Sequence, residues 1–285
     1  SALISYPVKG CAGSPVSRAV STPAGLPHDR AFMVVDAEGV FRSQRGSPRL
    51  ALIRPGVEDD GAHLLLQAPG TAPARIQVRA EGPRTGVTMH GRTFDAVDQG
   101  EEAARWLTAV LGEPSRLVRV APGHDRVVDG HFTGTSAFAD SSSALVLSLS
   151  SLDLLNAQLA EAGAPALPMD RFRPNIVVSG WPEPHTEDGV LTMRIGGTGL
   201  GFSKPCKRCA VTTVDQETGE KAGPEPLRTL ASYRRWAEGG VVFGAKFAVL
   251  EPGPIAVGDE VEVDEWAGPE RALVALAGEE AAARR

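Results

Sequence analysis

Two of the three cysteines lie in one short segment, Lys204-Pro205-Cys206-Lys207-Arg208-Cys209-Ala210-Val211-Thr212-Thr213-Val214-Asp215. In a thioredoxin-like α/β fold, a C-x-x-C pair lies at the start of a helix within a βαβ unit. Here mostly β-branched residues follow Cys209, which predicts a strand over 210–214. We therefore expect Cys206 in the turn before this strand and Cys209 at its start. The segment argues against the α/β redox fold and favours a β-rich one.

The rest of the chain predicts many short strands, because apolar runs alternate with turns that draw on 32 Gly and 22 Pro. The other predicted strands are 31–35, 40–43, 50–53, 63–66, 75–78, 144–147, 175–178, 247–250 and 254–261. Three helices are predicted: from Asp98, with Glu101 completing a capping box, to Gly112; from about Ser150 to Gly163; and from Glu225 to Gly240. Since strands and helices do not alternate regularly, we expect an α+β, β-rich protein rather than a doubly wound sheet.

The predicted domain organisation has one boundary, in the loop between His124 and Ser136. It divides the chain into a β-rich domain over 1–130 and a β-barrel domain with a few helices over 131–265. An Ala- and Glu-rich tail over 266–285 follows, and we expect a loosely attached helix there.

Composition and charge exclude several classes of protein. The formal net charge is −6, whereas a nucleic-acid-binding domain has a basic patch and a high pI. No stretch approaches the roughly 20 apolar residues of a membrane-spanning helix, and the first residues do not resemble a secretory signal. Three cysteines cannot form a paired disulfide framework, so a reducing, cytoplasmic environment is expected.

The C-x-x-C pair leaves several interpretations open. A structural zinc site needs four ligands, usually from two such pairs, but the only other cysteine is Cys11 and no two histidines lie within five residues of each other. Alternatively, one thiolate is a soft ligand to a metal that a cofactor holds, favoured by the adjacent Lys207 and Arg208. A thioredoxin-like dithiol and two buried cysteines without a function are the other interpretations.

Other polar groups stand next to predicted strands. Arg171 and Arg173 directly precede the strand at 175–178, where Asn175 adds a neutral amide beside a cation, as anion recognition often requires. A solvated strand edge explains such arginines equally well. Further hydroxyl groups and charges are offered by Lys9, Arg30, Asp140, Ser141 and Ser142.

Four motifs together resemble those of one family. They are Tyr6-Pro7-Val8-Lys9, Asp29-Arg30, Phe172-Arg173-Pro174-Asn175, and Cys206-Lys207-Arg208-Cys209 with Thr212-Thr213-Val214-Asp215. They look like the motifs of the molybdenum cofactor sulfurase C-terminal (MOSC) superfamily, in the branch of the mitochondrial amidoxime reducing component and its bacterial relatives. The resemblance extends over residues 3–263, nearly the whole chain.

The resemblance implies a MOSC N-terminal-like β-domain packed on a MOSC β-barrel, with a molybdenum–molybdopterin cofactor between them. It implies that Cys209 is the metal ligand and the catalytic residue. The residues implied to hold the cofactor are Lys9, Arg30, Asp140, Ser141, Ser142, Arg173, Asn175, Cys206, Lys207 and Arg208. Several fixed cations suit a multiply anionic pterin phosphate despite the negative net charge.

The activity implied by the resemblance is the reduction of small N-hydroxylated substrates such as amidoximes and hydroxylamines. The sequence lacks the C-x₄-C-x₂-C pattern of a plant-type ferredoxin. Electrons are therefore expected from a separate electron-transfer protein, of ferredoxin or cytochrome type with its reductase. Two other functions stay open: a sulfur-transfer or molybdenum-cofactor carrier protein with a persulfide on Cys209, and a non-catalytic MOSC protein that binds an anionic ligand.

Overall fold

Residues 2–268, 274 and 276 are described here from a computed structural model, and they form a strand-rich fold. The strands are β1 (Ala2–Ser5), β2 (Val8–Lys9), β3 (Ser14–Val16), β4 (Arg18–Val20), β5 (Phe32–Val35), β6 (Arg54–Glu58), β7 (His63–Ala68), β8 (Thr71–Gln77), β9 (Arg84–Met89), β10 (Arg92–Asp98), β11 (Arg116–Val120), β12 (Val127–Val128), β13 (Gly134–Thr135), β14 (Ala144–Ser148), β15 (Ile176–Val178), β16 (Val190–Ile195), β17 (Thr198–Lys207), β18 (Val242–Glu251), β19 (Pro254–Ala256) and β20 (Val261–Trp266). The α-helices of this part of the chain are α1 (Glu101–Leu111), α2 (Leu149–Glu161) and α3 (Leu227–Tyr233). Short 3-10 helices cover Pro48–Leu52, Asp59–Gly61, Met169–Phe172, Thr186–Asp188 and Ala210–Thr213.

The largest sheet has eight strands and curls into a half-barrel, in the order β20-β16-β17-β18-β14-β15-β1-β3. Its neighbouring strands are antiparallel except β14 and β15, which run parallel. Phe202, Phe247 and Met193 belong to its buried core. The long strands β17 and β18 pair along their length, with three register shifts. This ladder carries the first half of the C-x-x-C motif. The β-rich fold class is therefore confirmed.

The other half of the molecule consists of a five-stranded sheet, β2-β5-β11-β10-β9, and a three-stranded sheet, β6-β7-β8. Helix α1 packs its apolar face, with Trp106, Leu107 and Val110, into a core shared with both sheets. The first strands do not stay in this half, since β1 and β3 join the large sheet and β4 pairs with β19. The halves are therefore interlocked near the start of the chain, and the boundary at 130 stays a prediction.

Three predicted strands, at 210–214, 50–53 and 40–43, are wrong, and a fourth is divided. The segment 210–214 contains the 3-10 helix Ala210–Thr213, because the Thr212 and Thr213 hydroxyls donate back to the carbonyls of Cys209 and Ala210. Such local bonds compete with a sheet ladder. Pro48–Leu52 is a 3-10 helix where a strand at 50–53 was predicted, since Pro48 suits a first helical turn. The segment 40–43 makes only isolated bridges, and 254–261 is divided between β19 and the start of β20.

The predicted first helix is confirmed, with a different N-terminus. Gly100 is its N-cap residue and makes no side-chain capping bond. The expected capping box is absent because Arg116 Nε donates to Asp98 Oδ2 at 2.6 Å and the Gly100 amide donates to Asp98 Oδ1 at 2.7 Å. The helix ends at Gly112, which has φ 79°, as predicted.

The other two predicted helices also exist, with shifted ends. Helix α2 begins slightly earlier than expected, because Ser148 caps it by accepting from the Ser151 amide at 3.2 Å. Helix α3 is shorter than expected. Trp236 lies beyond it, in a turn in which its amide donates to the Gly240 carbonyl at 2.9 Å.

The predicted tail helix lies mostly outside the described residues. Trp266 ends β20, Val274 is buried against the large sheet, and Leu276 bridges to Trp236. Across residues 2–268, 274 and 276, no helix has the length and apolarity needed to cross a bilayer.

Candidate functional site

A cleft with about 930 Å³ of space, including its open mouth, lies between the large sheet and the N-terminal half. Its walls come from β2, β14, β17, β18, the segment 41–45, the loop before β14 and the 3-10 helix Met169–Phe172. Each site residue proposed from the sequence lines this cleft: Lys9, Arg30, Asp140, Ser141, Ser142, Arg173, Asn175, Cys206, Lys207, Arg208 and Cys209. The topology thus brings the four motifs together, while contact with a cofactor stays a prediction.

The two cysteines of the motif occupy different environments. Cys206 lies inside β17 and is only 4% exposed, whereas Cys209 lies just beyond this strand and is exposed. The expected local structure was therefore wrong, because β17 includes Cys206 and Lys207 and a 3-10 helix follows Cys209. Since the sheet holds Cys206 in place, Cys209 is the thiol that is accessible at the cleft.

Arg30 is held by a network of hydrogen bonds along one wall of the cleft. Its Nη1 donates to Asp29 Oδ2 at 2.5 Å and to Asn175 Oδ1 at 2.9 Å. Asn175 Oδ1 also accepts from the Leu145 amide at 3.3 Å, and its Nδ2 donates to the Ile4 carbonyl at 3.0 Å. A further bond joins Asn175 Nδ2 to Asp29 Oδ1 at 2.9 Å. Because these bonds use both groups of its amide, Asn175 positions Arg30 in this structure.

Two arginines contact the ring of the buried Tyr6. The Cζ atoms of Arg30 and Arg173 lie 4.3 and 4.4 Å from the ring centroid, within the range of cation–π contacts. Both residues have positive φ, 50° and 56°, a conformation that costs energy for a side chain of this size and is often found at functional sites. Burial lowers the pKa of Arg173, yet a guanidinium stays charged at neutral pH. The fold thus maintains two adjacent cations beside one carboxylate, that of Asp29.

Lys9 is buried and forms an ion pair with Asp140. Burial lowers the pKa of Lys9, and Asp140 opposes this shift. Desolvation disfavours ionisation of Asp140, but Lys9, His90 and Lys246 outweigh it and hold the Asp140 pKa well below its usual value. Asp140 is therefore ionised and neutralises Lys9, so Lys9 offers an anionic ligand less net charge than the sequence suggests.

The hydroxyls after Asp140 have separate partners. Lys246, on β18, donates through Nζ to Ser141 Oγ at 2.5 Å. The buried Ser142 donates to Ser203 Oγ at 2.5 Å. Ser141 therefore positions a cation at the cleft, whereas Ser142 connects the loop to β17.

The cations next to Cys209 differ in what they contact. Arg208 donates from Nε to the Phe243 carbonyl at 2.8 Å and from Nη1 to the Phe172 carbonyl at 2.9 Å, so it connects β18 to the 3-10 helix Met169–Phe172. Lys207 is exposed, and its stem passes over Gly240, where an added Cβ would lie 2.5 Å from Lys207 Cε. Gly240 also has φ 87°, so glycine suits this close approach. Among the contacts of the described residues, Lys207 is therefore the one of these two cations that is free to meet a ligand.

The loop after β5 adds residues that the sequence did not single out. Arg45 Nη1 lies 3.6 Å from Cys209 Sγ. The neighbouring Gln44 is buried and exchanges two hydrogen bonds with Gln216, at 3.1 and 3.0 Å. Gln44 also donates to the Gly10 carbonyl at 2.7 Å. These bonds hold the loop, and with it Arg45, next to the exposed thiol.

The cleft carries a strong excess of positive charge. Of the described residues that line it, nine are Lys or Arg and one, Asp140, is acidic. Protein carboxylates or carbonyls hold five of these cations: Lys9, Arg30, Arg42, Arg171 and Arg208. The other four have no carboxylate within 4.0 Å in the described part of the chain: Arg45, Arg173, Lys207 and Lys246. Such a cleft is suited to an anionic ligand.

Arg171 gives a second, independent indication of an anionic ligand. Its side chain is 4% exposed, and its Nη2 donates to Asp215 Oδ2 at 2.7 Å. Among the described residues, its buried Nε and Nη1 have no hydrogen-bond partner, and Arg171 is one of the residues that line the cleft. Unsatisfied buried donors of a charged group are costly, and an anion in the cleft would satisfy them.

Sequence signals for the additional residues differ in strength. Lys246 interrupts the otherwise apolar run of β18, which is a recognisable signal of a functional cation. Arg171 stands in the motif already identified. Arg45 and Gln44 lie in a polar loop without a pattern, so only the three-dimensional structure places them at the site.

Comparison with known proteins identifies the family. The MOSC N-terminal beta barrel domain matches residues 1–114, and the MOSC domain matches residues 133–262. This chain belongs to the MOSC family. The resemblance inferred from the four motifs is thereby confirmed.

Several named relatives of this MOSC protein align over most of its length. Mitochondrial amidoxime-reducing component 1 of Homo sapiens is 36% identical in an alignment 279 residues long, which covers 90% of this chain and 80% of that protein. The Mus musculus protein of the same name is 37% identical in an alignment that covers 90% of this chain and 79% of the mouse protein. Molybdenum cofactor sulfurase of Danio rerio is 33% identical over 86% of this chain, which corresponds to only 31% of that longer protein.

Proposed function

We propose that this MOSC protein binds a molybdenum–molybdopterin cofactor in the cleft and reduces N-hydroxylated compounds such as amidoximes and hydroxylamines. The observation that carries the proposal is the position of Cys209, the exposed thiol at the mouth of a cation-rich cleft. The similarity to proteins named amidoxime-reducing components over 90% of the chain supports the reaction class.

The residues of the cleft fit such a cofactor. In the described part of the chain, no three His, Cys, Asp or Glu side chains are grouped closely enough to hold a metal ion by themselves. A metal at Cys209 therefore needs further ligands from a bound group, as a pterin dithiolene provides. The unpartnered N–H groups of Arg171 and the excess of cations fit the phosphate of that group.

The protein's contribution is binding and orientation, while the cofactor supplies two-electron redox chemistry when it is bound. Arg173, Arg171 and Lys246 would hold the anionic part of the cofactor, with Arg30 positioned by Asn175. The Cys209 thiolate is a soft ligand suited to a transition metal. Cys206 is buried within β17 and is not assigned a role in holding the cofactor's metal.

The proposed overall reaction balances with two electrons and two protons. A hydroxylamine R–NHOH loses its N–O bond and gives the amine R–NH₂ and water. The electrons come from a separate protein of ferredoxin or cytochrome type with its own reductase, because the three cysteines of this chain do not match an iron–sulfur cluster motif. We place the protein in the cytoplasm as part of this proposal.

The test is turnover of benzamidoxime with reduced methyl viologen as the artificial donor, normalised to bound molybdenum. Wild-type protein is expected to form benzamidine. Cys209→Ser should abolish turnover yet retain part of the pterin, because the cationic contacts remain. The matched variant Cys206→Ser should keep its turnover per molybdenum, although a buried hydroxyl costs about 1–3 kcal/mol of stability if it stays unpaired. Equal loss in both variants would indicate a dithiol, and full turnover in Cys209→Ser would overturn the proposal.

A second candidate is a sulfur carrier with a persulfide on Cys209. The exposed thiol and the similarity to molybdenum cofactor sulfurase over 86% of this chain favour it. Mass spectrometry of the purified protein separates the two functions. A sulfur adduct on Cys209 without N-reduction would favour the carrier.

A further inference from the structure

We propose that Arg45 and Lys207 form a binding site for a negatively charged group of the substrate, so that the protein prefers N-hydroxylated compounds carrying a carboxylate. This inference rests on the proposed function and specifies its substrate class. It concerns the cleft mouth near Cys209 and does not use Arg171, Arg173 or Lys246, which are assigned above to the anionic part of the cofactor. Lys207, which the resemblance placed at the cofactor, is assigned to the substrate instead.

Arg45 is well placed for this role. Its Nη1 is 3.6 Å from Cys209 Sγ, so a group bound to Arg45 lies next to the proposed reaction centre. The side chain is half-buried, and no carboxylate lies within 4.0 Å of it in the described part of the chain. A guanidinium in this state can bind a carboxylate through two parallel hydrogen bonds.

The loop that carries Arg45 is held in place without any ligand. The amides of Gly46 and Ser47 donate to the Ser43 carbonyl at 3.1 and 2.8 Å, which forms a tight turn. The buried Gln44 anchors this turn to Gln216. Because the backbone is already ordered, binding a carboxylate at Arg45 costs little additional loop entropy.

Lys207 supplies the second charge at the mouth. It stands two residues before Cys209, is exposed and lines the same cleft. The acidic group of the cleft, Asp140, is already paired with Lys9 and accepts a hydrogen bond from His90. Nothing acidic in the described lining therefore offsets Arg45 and Lys207, so the mouth attracts anions and disfavours cations.

Alkylation of Cys209 in the cofactor-free protein tests the anion site without any turnover. The rate with anionic iodoacetate is divided by the rate with neutral iodoacetamide, and the quotient is compared with that of glutathione. The quotient cancels the thiolate fraction, since both reagents react with the same thiolate. Peptide mass spectrometry assigns the product to Cys209, because Cys11 and Cys206 are buried.

Wild-type protein is expected to favour iodoacetate relative to glutathione. Arg45→Gln should lower the quotient about tenfold, as the loss of one charge-assisted contact predicts. Arg45→Lys should restore part of it. The control is Arg105→Gln, which removes an exposed arginine on α1 that does not line the cleft and should leave the quotient unchanged.

Turnover by the loaded protein tests the substrate class. At equal molybdenum content, Arg45→Gln should lower kcat/KM about tenfold more for 4-carboxybenzamidoxime than for benzamidoxime. Equal effects on both substrates, an unchanged alkylation quotient, or loss of molybdenum from Arg45→Gln would overturn the inference. A different result would separate the two proposals. If the alkylation quotient falls in Arg45→Gln but the loaded wild-type protein reduces neither amidoxime, the anion site is supported and the proposed function is contradicted.

Discussion

The side-chain amides of Gln44 and Gln216 exchange two hydrogen bonds, at 3.1 and 3.0 Å, and so join two segments that are far apart in the sequence. Both residues are buried. Gln44 precedes Arg45, which contacts Cys209, and Gln216 Oε1 also accepts from Arg173 Nη1 at 3.5 Å. One amide pair therefore positions two of the cations that have no carboxylate partner.

Gln44→Ala should lower the free energy of unfolding by about 1–3 kcal/mol, because it leaves part of the buried Gln216 amide unsatisfied. Urea denaturation of the cofactor-free protein measures this. Gln67→Ala, on the exposed side of β7, is the control and should have little effect. The double variant Gln44→Ala/Gln216→Ala should lose less than the sum of the single variants. Additive effects would show that the pair is not coupled.

Arg30→Ala and Arg173→Ala should both weaken cofactor binding, but they should differ in their effect on stability. Arg30→Ala removes the cation that pairs with the buried Asp29, so we expect a loss of about 3 kcal/mol in unfolding free energy. Arg173→Ala breaks no ion pair and should cost about 1 kcal/mol, through the lost contact with Tyr6. Both variants should retain less pterin. Equal destabilisation of the two cofactor-free variants would contradict these assignments.

The motifs in the sequence located the site but not the conformation that carries it. Val211, Thr212 and Thr213 predict a strand, yet the two hydroxyls bond back to nearby carbonyls and form a 3-10 turn. Whether this segment forms a strand or a 3-10 helix depends on hydrogen bonds from side chains to the backbone, which the β-propensity of the residues does not describe. Cys209, which the resemblance implies is the metal ligand, is the exposed thiol of the motif, whereas Cys206 is buried; the role of Cys209 as a ligand stays a prediction.

The partners of each charged group could not be predicted from the sequence. Arg208 and Lys207 are adjacent, but Arg208 donates to backbone carbonyls, whereas Lys207 has no such partner within the described ranges of the chain. Arg45 meets Cys209 only because β17 and the loop after β5 end at the same cleft. Such contacts depend on how the large sheet and the N-terminal half pack against each other, which local sequence patterns do not specify.

His185 predicts a pH dependence of stability. Burial, assisted by Arg234, lowers its pKa to about 3, and neither ring nitrogen has a hydrogen-bond partner among residues 2–268, 274 and 276. Between this value and about 6.5 the unfolded chain binds a proton that the folded chain does not, so His185 lowers stability as the pH falls. The difference in unfolding free energy between wild type and His185→Asn should therefore change by up to about 1.4 kcal/mol per pH unit in this window. A difference that does not vary with pH would contradict the assignment, whatever its size.

Inorganic phosphate should stabilise the cofactor-free protein, because it can occupy the cleft and satisfy the free donors of Arg171. The measurement is the rise in Tm with phosphate, compared with chloride at equal ionic strength. Arg171→Met should reduce this rise, and Arg105→Met, on the surface of α1, should not. The same rise in wild type and Arg171→Met would place the phosphate elsewhere.

The central claim is that the cation-rich cleft holds a molybdenum–pterin cofactor with Cys209 as its protein ligand. The most direct measurement is the molybdenum and pterin content of the protein purified from a host that makes the cofactor, by elemental analysis and by pterin fluorescence after oxidative release. We predict about one molybdenum and one pterin per chain, with molybdenum lost and pterin partly kept in Cys209→Ser. Stoichiometric zinc without pterin, or full molybdenum content in Cys209→Ser, would contradict the claim.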